Sequence, residues 1–118
     1  MPHESPCLFC RISNKDLSAS IVYEDENVIA FNDIHPKAKV HVLVIPKKHI
    51  QSLADAEDED QELLGMVMLT VKKVAEEQRI ASSGYRTIIN TRTHGGQEVD
   101  HLHVHILGGE AIGPMVSK

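Results

Sequence analysis

A chain of 118 residues has room for one domain with a core of its own, so residues 1–118 are read as a single domain. Twelve Lys+Arg against 17 Asp+Glu leave a net charge of −5, and no basic cluster or aromatic series is present to track a nucleic acid. No segment approaches the roughly 20 apolar residues of a membrane span, and residues 1–6 have neither a basic n-region nor an apolar h-region, so the expectation is a cytoplasmic protein that binds no membrane.

In chain order, residues 8–12 predict a short helical turn that leads into a polar loop over 13–20. Ile21-Val22-Tyr23 and residues 28–31 read as two strands, and the turn-like Glu24-Asp25-Glu26-Asn27 between them suits an antiparallel hairpin. Residues 40–45 are apolar at nearly every position except His41, which predicts a central strand ended by Pro46. A polar residue inside such a strand needs a partner or a job. Over 57–78 the period becomes helical: Leu63, Leu64, Val67, Val71, Val74 and Ala75 form one stripe. The acidic run 57–60 and Lys72-Lys73 suit the helix dipole, so neither is given a binding role. Residues 86–91 predict a strand, Gly95-Gly96 a turn, and 101–107 the last strand before Gly108-Gly109. The sum is an α+β domain: a five-stranded antiparallel sheet with one long helix and a short N-terminal helix.

The chemistry concentrates in the last strand. His101, His103 and His105 alternate with Leu102, Val104 and Ile106, so in a strand one face carries imidazoles and the other belongs to the core. Three crowded imidazoles serve neither packing nor solubility; they call for a ligand, a metal or a reaction. Cys7-x-x-Cys10 is a metal half-site or a redox motif in a reducing compartment, with a pair of small buried cysteines as the alternative. His49 and His101 are the partners that would complete a Cys2His2 set, whose four-coordinate zinc is closed and therefore structural. His103 is the candidate nucleophile toward phosphorus, because a neutral imidazole attacks well when one ring nitrogen is free and the other is held by an acceptor such as a carbonyl. His105 and His41 would donate to phosphate oxygens, and Gly95-Gly96 would let backbone N–H groups approach an anion.

The run His101-Leu102-His103-Val104-His105-Ile106-Leu107 resembles the signature of the histidine triad (HIT) nucleotide-binding proteins. Phe31-Asn32-Asp33-Ile34, the stretch from His41 through Pro46-Lys47-Lys48-His49, Gly84-Tyr85-Arg86 with Asn90, and Gly95-Gly96-Gln97 resemble the Hint branch, the purine nucleoside phosphoramidases. Leu107-Gly108-Gly109 with Gly113-Pro114-Met115 is similar to its bacterial members. The resemblance implies hydrolysis of adenosine 5′-phosphoramidates, including aminoacyl-AMP-type substrates, to AMP through a covalent nucleotidyl-histidine. Purine nucleotides such as AMP and GMP would be its ligands, and the sheet would continue across a homodimer. By the same resemblance His103 is the nucleophile, with His105 and His41 beside it. Asp33 and Ile34 hold the ribose and flank the purine, Asn90 meets the phosphate, and Gly96, Gln97 and Glu98 form the phosphate loop. Cys7, Cys10, His49 and His101 would bind structural zinc, with no cofactor needed for catalysis. Three positions depart from the family pattern: Glu98 replaces a serine of the animal proteins, Asp100 replaces an aromatic, and the tail lacks a tryptophan. Two nucleotide-based alternatives stand beside this reading: a regulatory nucleotide-binding module with incidental activity and a dinucleoside polyphosphate hydrolase. A zinc-storage or redox module would rest on the cysteines and histidines alone.

Overall fold

Turn chemistry and alternation build the first half of the sheet. β1 (Ile21–Glu24) and β2 (Val28–Asn32) pair antiparallel, and Asp25 fixes the turn between them by accepting the N–H groups of Asn27 and Val28, both at 2.8 Å. β3 (Val40–Pro46) runs antiparallel to β2 and is buried from His41 onward, as a strand paired on both edges should be. β5 (Val104–Gly108) lies on its other side and β4 (Arg86–Ile88) on the outer edge, giving the order β1-β2-β3-β5-β4 with every pair antiparallel. This computed structural model describes residues 6–116; residues 1–5, part of the stretch without a leader pattern, and residues 117–118 lie outside them.

The period-2 pattern gives the sheet two apolar faces. Val28, Ala30, Val42, Val44, Val104 and Ile106 point to one side, where Val67, Val71, Val74 and Ala75 of α2 (Gln61–Glu77) cover them. Leu63 and Leu64, at the other end of the predicted stripe, are only half-buried. Ile29, Phe31, Leu43 and Ile45 point to the other side, where Phe9 and Ile12 of α1 (Leu8–Ser13) cover them. Among the described residues no helix is long and apolar enough to cross a membrane.

Three element bounds differ from the sequence expectation, and each difference has a local cause. The acidic run at 57–60 forms a 3-10 turn (Asp58–Asp60) with a capping box between Glu57 and Asp60, so the α-helix proper starts at Gln61. The fourth strand stops at Ile88, and the predicted Gly-Gly turn is preceded by a one-turn helix, α3 (Arg92–Gly95), which Gly96 ends at φ +80°. The last strand begins at Val104 rather than at 101. Its last partner on β3 is Val44; before that point His101 N–H bonds to Val99 O at 2.8 Å and Leu102 N–H to Ile50 O at 2.7 Å. Those backbone groups belong to a loop, so only His105 of the triplet sits in the ladder.

Candidate functional site

Backbone partners, more than strand alternation, determine what each imidazole can do. His103 is buried, and its Nδ1–H donates to the carbonyl of His101 at 2.7 Å. A carbonyl only accepts, so the hydrogen of the neutral ring is on Nδ1 and the lone pair is on Nε2. His41 has the opposite arrangement. The Lys37 amide, which only donates, reaches His41 Nδ1 at 3.0 Å; the hydrogen is therefore on His41 Nε2, aimed at His105 Nδ1 at 2.9 Å with Asp33 Oδ2 at 3.4 Å. His105 accepts on Nδ1 and keeps its hydrogen on Nε2. Its ring lies 4.9 Å from that of His103 and 5.2 Å from that of His41.

The same surroundings keep these rings uncharged. Burial pushes the His105 pKa down to about 4, helped by repulsion from His103 and His41. Burial also lowers His103, against the pull of the His101 carbonyl and the Asp33 and Glu98 carboxylates. For His41 burial again dominates, with Asp33 opposing it and Lys37 adding to it. The group therefore offers one lone pair and one N–H donor rather than a set of cations.

His103 and His105 open into a cavity of about 360 Å³. Leu8, Phe9, Ile12, Leu17, Ala19, Phe31, Leu43 and Val99 make most of its wall apolar, while Asn32, Asp33 and Asn90 supply polar groups beside the histidines. Asp33 is fixed by accepting the His35 N–H on Oδ1 at 2.8 Å. Ile34 stands at the rim, 83% exposed, and Gly96 and Glu98 complete the wall. A cavity whose wall is largely apolar but also carries a carboxylate, amides and an imidazole pair suits an apolar planar base attached to a hydroxylated, phosphorylated group.

Two site expectations change in kind. His41 does not face the cavity; its one donor is spent on His105, so it acts through that ring. Gln97 is also absent from the wall. Its Oε1 accepts the Arg92 N–H at 2.8 Å, and its Nε2 donates to Gln51 O at 2.8 Å and Val99 O at 3.0 Å. Gln97 thus frames the loop that carries Gly96, and Arg92 takes φ +57° in that frame while its guanidinium meets Asp55 at 2.9 Å. The apolar wall supplied by α1 and by Phe31 of β2 and Leu43 of β3 was not assigned to the site from sequence. Its signal is the second apolar face that period 2 gives those strands, which reads equally well as core.

The second cluster joins all four predicted metal ligands. Cys7 Sγ lies 3.3 Å from His101 Nδ1, Cys10 Sγ 3.3 Å from His49 Nδ1 and 3.5 Å from His101 Nδ1. The four donor atoms are all within 4.8 Å of one another. A tetrahedral zinc with ordinary Zn–S and Zn–N bonds separates sulfur and nitrogen ligands by about 3.5 Å, so the spacing fits. The tautomer fits as well: His101 Nε2–H donates to Pro46 O at 2.8 Å, which leaves the Nδ1 lone pair facing both sulfurs. Burial, with repulsion from His49 and His103 and against the Pro46 bond, holds the His101 pKa down to about 4, so that lone pair stays unprotonated. Asp33, His41 and His105 also cluster within 4.8 Å, but there the Lys37 amide holds His41 Nδ1, and the lone pair of His105 Nδ1 is taken by His41.

The HIT domain profile matches residues 14–112. Over 110 residues the chain is 44% identical to the purine nucleoside phosphoramidase of Escherichia coli K12, covering 93% of this chain and 92% of that one. It is 49% identical over 102 residues to protein HitA of Neisseria gonorrhoeae, covering 86% and 94%. Among solved structures, a histidine triad protein from Clostridium difficile superposes with a TM-score of 0.92 at 40% identity, covering 98% of this chain and 100% of that chain. A HIT family hydrolase from Legionella pneumophila gives 0.89 at 45%, covering 91% and 96%. Sequence, fold and the histidine cluster agree, and the chain belongs to the HIT domain family.

Proposed function

We propose that the protein hydrolyses purine nucleoside 5′-phosphoramidates to AMP or GMP and an amine, through a nucleotide bound covalently to His103. The observation that carries this reading is the bond from His103 Nδ1–H to the His101 carbonyl, which leaves Nε2 as a free lone pair at the wall of the cavity. In the first step Nε2 forms a bond to the α-phosphorus and the P–N bond breaks. The amine leaves with its electron pair and takes a proton from solvent at the mouth lined by the exposed Glu98. The attached ring keeps its Nδ1–H and carries positive charge, which the His101 carbonyl stabilises. That charge makes the ring a good leaving group, so in the second step water bonds to phosphorus, the P–Nε2 bond breaks, and a water proton returns to solvent. His105 Nε2–H donates to a phosphate oxygen in both steps, oriented by His41. Asp33 accepts from the ribose hydroxyls, and Asn90 and Gly96 flank the phosphate.

The reading includes zinc held by Cys7, Cys10, His49 and His101; it would tie α1 to the sheet and supply no step of the reaction. It also includes a homodimer, supported by the exposed Met68 and Leu69 on α2 and by the position of β4 at the sheet edge. Light scattering on the purified protein tests the latter.

Intact-mass analysis of protein quenched during turnover of a fluorogenic adenosine 5′-phosphoramidate tests the chemistry. The wild type should gain the mass of one AMP. His103→Ala should gain nothing and lose about 10⁴-fold or more in turnover; full hydrolysis by that variant refutes the mechanism. AMP binding by the wild type with neither adduct nor turnover would favour a regulatory module instead.

A further inference from the structure

α1 belongs to both sites. Cys7 caps it and Cys10 lies in its first turn, while Leu8, Phe9 and Ile12 from the same segment line the cavity. A helix of six residues does not persist on its own hydrogen bonds; it needs tertiary anchors. Two routes of contact run from the sulfur pair to the nucleophile. Through the helix, the Phe9 ring stands edge-on to His103 at 5.1 Å and to His101 at 6.0 Å. Through His101, one residue presents Nδ1 to both sulfurs and its carbonyl to His103 Nδ1–H.

We propose that metal occupancy of Cys7, Cys10, His49 and His101 is a positive effector of nucleotide binding, acting through α1, with Phe9 and His101 as positioning residues. The proposal rests on the nucleotide-site reading above. With the four donors linked, α1 is pinned and the cavity wall is complete before the nucleotide arrives. Without the link α1 is docked only part of the time, and apparent affinity falls by the docked fraction. Linkage then requires the reverse effect: bound nucleotide must tighten metal binding by the same factor. A metal that merely stabilised the fold, without changing the docked population of α1, would show no such reciprocity.

The test measures AMP affinity by calorimetry for the zinc-loaded and the chelator-stripped protein, and zinc affinity by competition with a chromogenic chelator with and without saturating AMP. Stripping should weaken AMP binding about tenfold, the result of a docked fraction near one tenth, and AMP should tighten zinc by an equal factor. Equal AMP affinity with and without zinc overturns the proposal while leaving the nucleotide site intact. Failure of the zinc-loaded protein to bind AMP overturns both, and failure to hold zinc overturns the metal set. If the stripped protein unfolds, zinc-loaded Phe9→Leu serves in its place. It keeps all four ligands and trims the ring between α1 and His103, so it should hold one zinc, bind AMP more weakly and show less reciprocity; undiminished reciprocity in Phe9→Leu overturns the route through the helix.

Discussion

Replacing His105 with glutamine should make the fold less sensitive to acid. Burial, with repulsion from His103 and His41, puts the His105 pKa at about 4, against 6.5 for a free imidazole. Asp33 partly offsets the shift and Lys37 adds to it. Between those values the unfolded chain takes up a proton that the native ring refuses, so the contribution to stability is whole above pH 6.5 and is lost as pH falls toward 4. At about 1.36 kcal/mol per unit the full gap corresponds to about 3.4 kcal/mol, of which about 2.6 kcal/mol is lost by about pH 4.5. The ring is partly exposed to the open cavity, and solvent screening reduces the expectation to about 1–2 kcal/mol. The variant keeps Cys7, Cys10, His49 and His101, so the acid sensitivity of that cluster cancels in the comparison. The assay is urea unfolding of both proteins at about pH 7.5 and 4.5, with equal slopes required before midpoints are compared. Wild type should lose about 1–2 kcal/mol more than His105→Gln on acidification. Equal losses would show that His105 titrates normally and would remove the basis for treating it as a neutral donor.

Because burial also lowers His103 and His41, the acid limb of kcat/KM should lie below 6.5, and a limb at the ordinary imidazole value contradicts the neutral cluster. Asp33→Ala should cost about 10–100-fold in kcat/KM, mostly as a higher KM, since the carboxylate is assigned to the ribose; steady-state kinetics with KM unchanged rejects that role. Gly108→Ala should destabilise by about 1–3 kcal/mol, because a Cβ there would meet the buried Ile80 at 2.8 Å from Cδ1 and 3.2 Å from Cβ. Denaturant unfolding of that variant, of Ile80→Ala and of the pair should show the double change costing less than the sum. Gly96→Ala meets no atom within 4 Å but sits at φ +80°, so it should cost about 1–2 kcal/mol through the backbone alone, with Gly96→Asn milder.

The parts of this fold that depend on repeating patterns were legible, and those that depend on loop closure were not. The hairpin, the central strand and the helix stripe follow from periods of 2 and 3.6, and they place Val28, Val42 and Val67 in one core without further information. The gathering of Cys7, Cys10, His49 and His101 was legible because two cysteines three residues apart leave few ways to complete four ligands. The start of the last strand was not, since Leu102 and Val104 alternate with histidines whether or not the backbone is in a ladder; the Leu102 N–H bond to Ile50 O decides it. The side-chain partners of Gln97 were not legible for a similar reason. Its amide could equally reach a phosphate or its own loop, and only the positions of Arg92, Gln51 and Val99 show which.

The division of labour inside the triplet has the same origin. His101 and His103 are two residues apart, both buried, both neutral and both bonded to a carbonyl, so nothing in side-chain chemistry separates the proposed metal ligand from the proposed nucleophile. The separation comes from which nitrogen each carbonyl takes. Pro46, beyond the last β3–β5 pair, holds His101 by Nε2 and turns Nδ1 toward the sulfurs. The carbonyl of His101 holds His103 by Nδ1 and turns Nε2 toward the cavity. In His41 the partner is a donor instead, and the ring becomes a support for His105. Three backbone groups therefore assign three roles to one residue type. Moving any of them changes the role while leaving the histidine in place, which is why Lys37, Pro46 and the loop over 99–103 are as much a part of the site as the histidines they position.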